Sequence, residues 1–382
     1  MTSTRPGVPQ AEGPAAPDEV TQEAREAEEA LRRAREVVGL YGDPDVTWGI
    51  SLEARFDTPV DLEGAPERLR RMAADHPHLG VVPVVERVAS EAWATSREQS
   101  ASHDFSDGRL VRVLASDDGR DVFVTAHHGV CDGLGLLSIV TAATGREVRS
   151  SARGVGDRTS SQSFLASSLL RLAEALATPP TRFSGCGDAE PGTPERLVQV
   201  RETSGRVNGA LLCAALNDVH AEWPRRRTSG GRRFLVVMGA SRREPGQSAP
   251  DRQTAYFRIP LKRGWSVDDV RSAMRAVEPE PAFPETSAKG VGPMITRALK
   301  NRLGYTVNVS NLGVVTGEGL VSMAMFPAVN GPQAVGVGLV TTGAGSTISL
   351  RTRRDDFNDD EVQRLLDLVV GRLERLRRSA AQ

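Results

Sequence analysis

The stretch Ala126-His127-His128-Gly129-Val130-Cys131-Asp132-Gly133 follows directly on an apolar run, DVFVTAH at 121 to 127, and decides how the rest of the chain is read. Two adjacent histidines stand out in a protein that has only six. Along a strand, neighbouring side chains point to opposite faces. His127 and His128 therefore cannot share one pocket unless the strand ends there, and only one of them is placed for proton chemistry. Gly129 and Gly133 allow a turn that carries the Asp132 carboxylate toward the turn backbone or a cation, fixing the imidazole that precedes it. An imidazole with an ordinary pKa of about 6.5 can take a proton from an incoming amine or alcohol near neutral pH. The pattern points to general base catalysis.

Upstream of the motif, residues 1 to 17 are rich in Pro, Gly, Ala and Thr and read as a disordered tail. Over 18 to 40 a helix is expected, with Val20, Ala24, Ala27, Leu31, Ala34 and Val38 on one narrow face that braces the body. A strand follows in VTWGISL from Val46, then a helix at 63 to 75 stopped by Pro77. Strands are expected at 81 to 87, 109 to 115 and 121 to 127, then a helix through LLSIVTAAT and another at 162 to 177 carrying Phe164, Leu169, Leu172 and Leu176.

The Pro- and Gly-dense segment at 178 to 195 reads as an interdomain connection, which divides the chain into an N-terminal lobe over 41 to 185 and a C-terminal lobe over 186 to 382. In the second lobe helices are expected at 206 to 222, 266 to 276 and 292 to 303. Strands are expected at 233 to 239, 254 to 261, 305 to 310, 319 to 325, 333 to 341 and 346 to 352. The last helix opens on the cap pairing of Asn358 with Glu361 and carries Val362, Leu365, Leu366, Val369, Leu373 and Leu376 on one face. Mixed α/β lobes follow from this order, and 382 residues exceed one ordinary core.

Composition narrows the function classes. Basic and acidic side chains number 48 and 49, with no basic block long enough to hold a polyphosphate, so nucleic acid is not an expected partner. Three cysteines, Cys131, Cys186 and Cys213, lack the close pairing of metal or redox motifs, and no apolar run approaches a membrane span. A cytoplasmic protein with no membrane partner is expected. No third ligand lies at useful spacing from the histidine pair, so no metal is expected. The Gly-x-Ser-x-Gly, His-Glu-x-x-His and Gly-x-x-x-x-Gly-Lys-Ser/Thr patterns are all missing from the sequence, which disfavours a serine hydrolase, a zinc protease and a nucleotide phosphate enzyme.

The arrangement His-His-x-x-x-Asp-Gly at 127 to 133 resembles the active-site motif of nonribosomal peptide synthetase condensation domains, and of the wider acyltransferase superfamily that includes chloramphenicol acetyltransferase and the plant BAHD enzymes. Further pieces resemble that family in the same order: VTWGISL followed by Asp75-His76-Pro77-His78-Leu79, then Asn208 to Ala215, VVMGASRR at 236 to 243, and NVSNLG at 308 to 313. The resemblance covers roughly residues 46 to 375.

It implies two chloramphenicol-acetyltransferase-like lobes that form a V around a central tunnel. In that tunnel His128 is the catalytic base, Asp132 is structural, and Gly133 lets the backbone approach the reacting carbonyl. Ser310, Asn311 and His127 are then the expected substrate-binding residues. The implied activity is a free-standing condensation-type acyltransferase in specialised-metabolite biosynthesis. It would use an acyl thioester of coenzyme A, or of a phosphopantetheinyl acyl or peptidyl carrier protein, and a small-molecule amine or alcohol as acceptor, with no bound cofactor. Two alternatives are a catalytically silent protein that docks carrier proteins and an epimerase or cyclase on the same scaffold. The family commonly places an arginine where this chain has Gly80, so a cation for Asp132 has to come from elsewhere.

Other residues read more plainly. His76 and His78 sit at a helix end, His103 and His220 are expected at the surface, Cys131 is a small buried filler and Cys186 a loop thiol. Arg242 and Arg243 read equally as solvated loop charges or as contacts to an anionic carrier arm.

Overall fold

The computed structural model describes residues 17–380 apart from 39–46, 153, 157, 188–194, 204, 225–230, 232, 245, 283–297, 300–301, 330 and 344. The expected tail therefore lies outside the described residues up to 16, as does most of the helix expected at 292 to 303.

Strand β1 (Gly49–Phe56) buries nearly every side chain and pairs antiparallel with β4 (Asp121–His127), which in turn pairs antiparallel with β3 (Val111–Ser116). With β2 (Val85–Val88) parallel to β3, and β10 (Leu320–Phe326) antiparallel to β1, the first sheet has the order β10-β1-β4-β3-β2. Helices α1 (Pro17–Val38), α2 (Ala65–Asp75), α3 (Trp93–Ala101) and α4 (Gly133–Thr144) accompany it.

The second sheet runs β6-β12-β11-β9-β7-β8, with β5 (Val148–Ser150) pairing the far end of β9. Its strands are β6 (Glu195–Thr203), β7 (Phe234–Ser241), β8 (Thr254–Leu261), β9 (Val307–Gly317), β11 (Val335–Thr342) and β12 (Gly345–Arg353). β11 is buried along its whole length, as a central strand covered on both faces must be. Helices α6 (Gly209–Glu222), α7 (Val267–Ala276) and α8 (Asp359–Ala380) belong with this sheet, while α5 (Phe164–Ala177) is tied by hydrogen bonds to Arg233, Glu280 and Arg302. On α8, Val362, Leu365, Leu366, Val369 and Leu373 are fully buried, each stabilising by about 2 kcal/mol. The Asn358 and Glu361 cap is present in both directions. Both sheets mix parallel and antiparallel pairing, and the two-lobed α/β architecture is the one the motif's resemblance implied.

Chain order and lobe membership part company at two places. β5 crosses to the second sheet, and β10 crosses to the first after β9 has left the second. The crossing is tight: a Cβ at Gly338 would lie 1.7 Å from the Met325 carbonyl oxygen, so only glycine lets β11 pass there. Leu312, Val315, Met323 and Met325 from the β9–β10 hairpin consequently fill the first lobe's core beside Leu52, Val124 and Leu136.

Several expectations are corrected. β1 starts at Gly49 because Trp48 adopts a left-handed φ of 57°, which interrupts the extended chain. The connection expected over 178 to 195 is packed at 180–184, with Phe183 edge-on to His220, Trp223 and Phe234, and it ends in a strand, β6. His220 is accordingly buried and not at the surface. On α5 the leucines do not close a core: Leu165 is 72% and Leu169 68% exposed, because the helix is held by polar bonds from Ser167 and Arg171 to Glu280.

Arg351 on β12 clasps the lobes. Fully buried, it donates from its two terminal nitrogens to the carbonyls of Gly49 (2.6 Å) and Ala101 (2.8 Å) on the first lobe. Replacing it with methionine leaves both carbonyls without that donor and should lower unfolding free energy by about 3 kcal/mol in a denaturant titration. A loss under about 1 kcal/mol would mean that the clasp contributes little to stability.

Candidate active site

β4 ends at His127, and six residues later α4 begins, so the loop 128–132 is the hinge between an apolar strand and an apolar helix. Asp132 is the N-cap of α4: its backbone is extended and its Oδ1 accepts from the Gly135 N–H at 2.9 Å. That cap satisfies one of the helix's open donors and sets its first turn. The rest of α4 is locked by Leu136, Leu137, Ile139, Val140 and Ala143, all buried.

His128 is anchored at two points. Its N–H donates to the Trp48 carbonyl at 2.8 Å. Its Nδ1 lies 3.0 Å from the Cys131 carbonyl oxygen, an acceptor only, so Nδ1 carries the proton and Nε2 keeps a free lone pair. The ring lines a cavity of about 1120 Å³. Burial, then the neighbouring Arg252 cation, pulls its pKa down to about 4 against the opposing pull of the Cys131 carbonyl and Asp132. The imidazole is therefore neutral and basic at Nε2 through the neutral range.

His127 points elsewhere, as strand alternation requires. Its Nδ1 accepts the Gly129 N–H at 3.0 Å, its ring stands edge-on to Phe105 at 5.3 Å, and it is not among the cavity's wall residues. The substrate contact expected of it is thus corrected to a loop-holding one. Burial, then the charge on His128, Arg35 and Arg252, lowers its pKa to about 3. Behind the loop stands α1: a Cβ at Gly129 would meet the Ala34 carbonyl oxygen at 2.1 Å, so helix and motif touch backbone to backbone.

Gly133, Ser310 and Asn311 all line the cavity. A side chain at Gly133 would crowd Leu312 at 3.1 Å and Met325 at 3.4 Å, with Ser310 Oγ at 3.6 Å. Ser310 and Asn311 are consecutive yet both reach the cavity because β9 is irregular here: its register against β11 shifts, and Gly313 takes a φ of 68°. Asn311 Oδ1 accepts from the Gly313 N–H at 2.9 Å, which leaves its Nδ2 hydrogens as donors. Cys131 is fully buried, donates to the Asp132 carbonyl, and burial raises its pKa far above the ordinary thiol value, so it is filler. Among the described residues no group of three His, Cys, Asp or Glu side chains could hold a metal ion.

The cation for Asp132 is Arg243, at the end of β7. Nearly buried, it donates to Asp132 Oδ1 at 2.5 Å, to the Asp251 carboxylate, and to the Ala249 and Asp251 carbonyls. Asp132 Oδ2 accepts the Gln253 N–H at 3.0 Å, so its carboxylate is fully engaged. The reading of Arg243 as a loop charge is corrected by these bonds. The signal was an arginine straight after an apolar strand, where Gly80 had already shown that a cation was owed. Trp48 and Arg252, both cavity walls beside His128, carried no such signal.

No family model matches the chain, and no curated protein matches it in sequence. Solved structures match over nearly the whole length. The starter condensation domain of rhizomide synthetase, in complex with C8-CoA and Leu-SNAC, is 11% identical with a TM-score of 0.57, covering 92% of each chain. Trichothecene 15-O-acetyltransferase from Fusarium sporotrichioides is 13% identical at 0.57, over 90% of this chain and 94% of its own. The first condensation domain of the calcium-dependent antibiotic synthetase, in complex with a substrate analogue, is 14% identical at 0.55, over 92% and 95%. The chain has the two-lobed condensation-domain fold.

Two outcomes follow from this geometry. Arg243→Met strands a buried carboxylate and should cost about 3 to 5 kcal/mol in chemical denaturation, with a cost under about 1 kcal/mol excluding the clamp. Because His127 and His128 have folded pKa values of about 3 and about 4, they stay neutral while the unfolded chain's histidines protonate below about 6.5. The unfolded state then binds more protons, so stability is full above about pH 6.5 and falls as pH drops toward about 4. Between about pH 6 and pH 4.5 the slope of unfolding free energy against pH should fall by roughly one proton in His128→Gln, and an unchanged slope would contradict it.

Proposed function

We propose that the chain is an acyltransferase that joins an acyl group from a thioester to an amine or hydroxyl, with His128 as general base. The single observation that carries this reading is the tautomer: Nδ1–H committed to the Cys131 carbonyl, and a basic Nε2 on a ring in the cavity wall. The acceptor's N–H or O–H hydrogen-bonds to Nε2, and its lone pair attacks the thioester carbonyl as the proton passes to Nε2. The imidazolium so formed is stabilised by the Cys131 carbonyl and the Asp132 charge, the two groups that raise the ring's basicity. The tetrahedral intermediate then collapses, its carbon–sulfur bond breaks, and the thiolate takes the proton from Nε2.

Ser310 Oγ–H and the Asn311 Nδ2 hydrogens are the side-chain donors for the developing oxyanion, with Arg252 adding positive charge from the same wall. Preorganised donors of this kind supply a large share of such barriers. Gly133 keeps the space in front of His128 open. His127 holds the loop through Gly129. Asp132 orients and does not exchange protons, since both its oxygens are engaged.

The fold shared with a trichothecene acetyltransferase and with a condensation domain solved with C8-CoA and Leu-SNAC supports a thioester donor. The donor arm is read as coenzyme A or a carrier protein's phosphopantetheine, and the setting as cytoplasmic assembly of a specialised metabolite, with the chain divided into its lobes near residue 186. Among the described residues no helix is long and apolar enough to cross a membrane. A cavity that reaches His128 favours chemistry over a silent docking role.

The test is turnover of a panel of acyl-coenzyme A and acyl-carrier thioesters with amine and alcohol acceptors. His128→Ala should lose about 10² to 10⁴ in transfer rate while its unfolding transition stays cooperative. For the wild type, the acid limb of kcat/KM should inflect near the free ring's value of about 4. Full turnover by His128→Ala removes the base from the mechanism, and product formed without any acceptor moves the assignment to epimerisation or cyclisation.

A further inference from the structure

Away from the motif, the same cavity is walled by a charged network that the transfer mechanism does not use. Arg171, Arg233 and Arg258 surround Glu174, which accepts from Arg171 at 2.7 Å, from Arg233 at 2.9 Å and from Arg258 at 3.4 Å. Glu280 binds Arg171 at 2.6 Å and Ser167 at 2.7 Å. Three guanidiniums thus share two carboxylates inside a largely apolar space. Burial opposes the charge on Glu174, yet the bonds from Arg233 and Arg171 outweigh it and hold its pKa at about 2. Burial and then the like charge of Arg171 push Arg258 down to about 10.

Arg171, Arg233 and Arg258 all stand in the wall of a cavity large enough for a ligand, where these three guanidiniums outnumber the two carboxylates they bond. Forked guanidiniums match the paired oxygens of a phosphate or carboxylate. Arg258 stands opposite Val237 on β7, and Val237 opposite Asn308 on β9, two residues short of Ser310. By strand spacing that places the network roughly 12 Å from Ser310, which itself abuts Gly133.

The geometry points to a second subsite at this end of the cavity, in which Arg233 and Arg258 bind an anionic group, phosphate or carboxylate, of a ligand whose reacting end lies at His128. It deepens the acyl-transfer reading and rests on it for the view that the cavity holds small-molecule reactants. Two sources share this chemistry: the phosphate of a pantetheine-type donor arm, and an acid group on the acceptor.

The experiment is equilibrium binding to the full chain by calorimetry, using charged and neutral twins: 4′-phosphopantetheine against pantetheine for the donor arm, and glutarate against glutaramide for an acidic acceptor. One charged member should bind at least about tenfold tighter than its twin, and which pair does so names the source. The preference should shrink to about twofold or less in Arg233→Gln and in Arg258→Gln, and should persist in His128→Ala. No preference in either pair for the wild type overturns the subsite without recourse to any variant. So does a preference that survives both glutamine substitutions. Because the readout is binding, a failure of the base mechanism, seen as turnover retained by His128→Ala, is told apart from a failure of the subsite.

Discussion

One buried guanidinium positions the whole site. Arg243 comes from the second lobe at the end of β7, and it meets Asp132 at the first turn of α4 in the first lobe. Taking both charges out of water is expensive, and the attraction between them compensates only when further hydrogen bonds accompany it. Here Asp132 also accepts from the Gly135 and Gln253 N–H groups, and the terminal nitrogens of Arg243 also reach Asp251 and the Ala249 carbonyl. A carboxylate so occupied cannot rotate. Through the one-residue link to Cys131, whose carbonyl accepts the hydrogen bond from Nδ1–H, it fixes which nitrogen of His128 is basic.

The two histidines show how neighbours on one strand come to opposite uses. Burial strips both of their charge, but for different work. His127 spends its acceptor on the Gly129 N–H, and with Phe105 and α1 behind it the loop has no freedom to swing. His128 spends its donor and keeps its acceptor for the cavity. The His128 loop is held from behind by backbone contacts, with Ala34 against Gly129, and from the side by the Trp48 carbonyl, delivered by a residue in a left-handed conformation. Strain of that kind, placed next to His128, is tolerated where packing over-determines it.

Much of this was legible because it is local. Hydrophobic period located β4, β8, α7 and α8, and the cap pairing at Asn358 located the start of the last helix. The alternation rule separated His127 from His128, though it could not say what His127 would do instead. What failed was non-local. β6 carries a polar pattern, Glu195 to Thr203, that gains strand character only by pairing with β12. The leucines of α5 look like a core face until the ion pairs of Arg171 with Glu280 and Glu174 show which side is held. The exchange of β5 and β10 between sheets depends on Gly338 letting the Met325 carbonyl pass, and nothing in a linear pattern announces a close approach.

Arg243 is the instructive failure, because the demand was visible and the supplier was not. A buried aspartate at the N-cap of α4 requires a cation, and Gly80 shows that the expected one is missing. Electrostatics specifies the charge and the distance and is indifferent to chain position, so a residue 111 positions away can meet it. Supplying the cation from the opposite lobe changes what the bond does. A partner within the first lobe would tie the loop to its own sheet; Arg243 ties it to β7, whose next strand, β8, presents Arg258 to the cavity. His128, on the loop after β4 in the first lobe, and Arg258, on β8 in the second, are thereby linked through the Asp132–Arg243 salt bridge and β7.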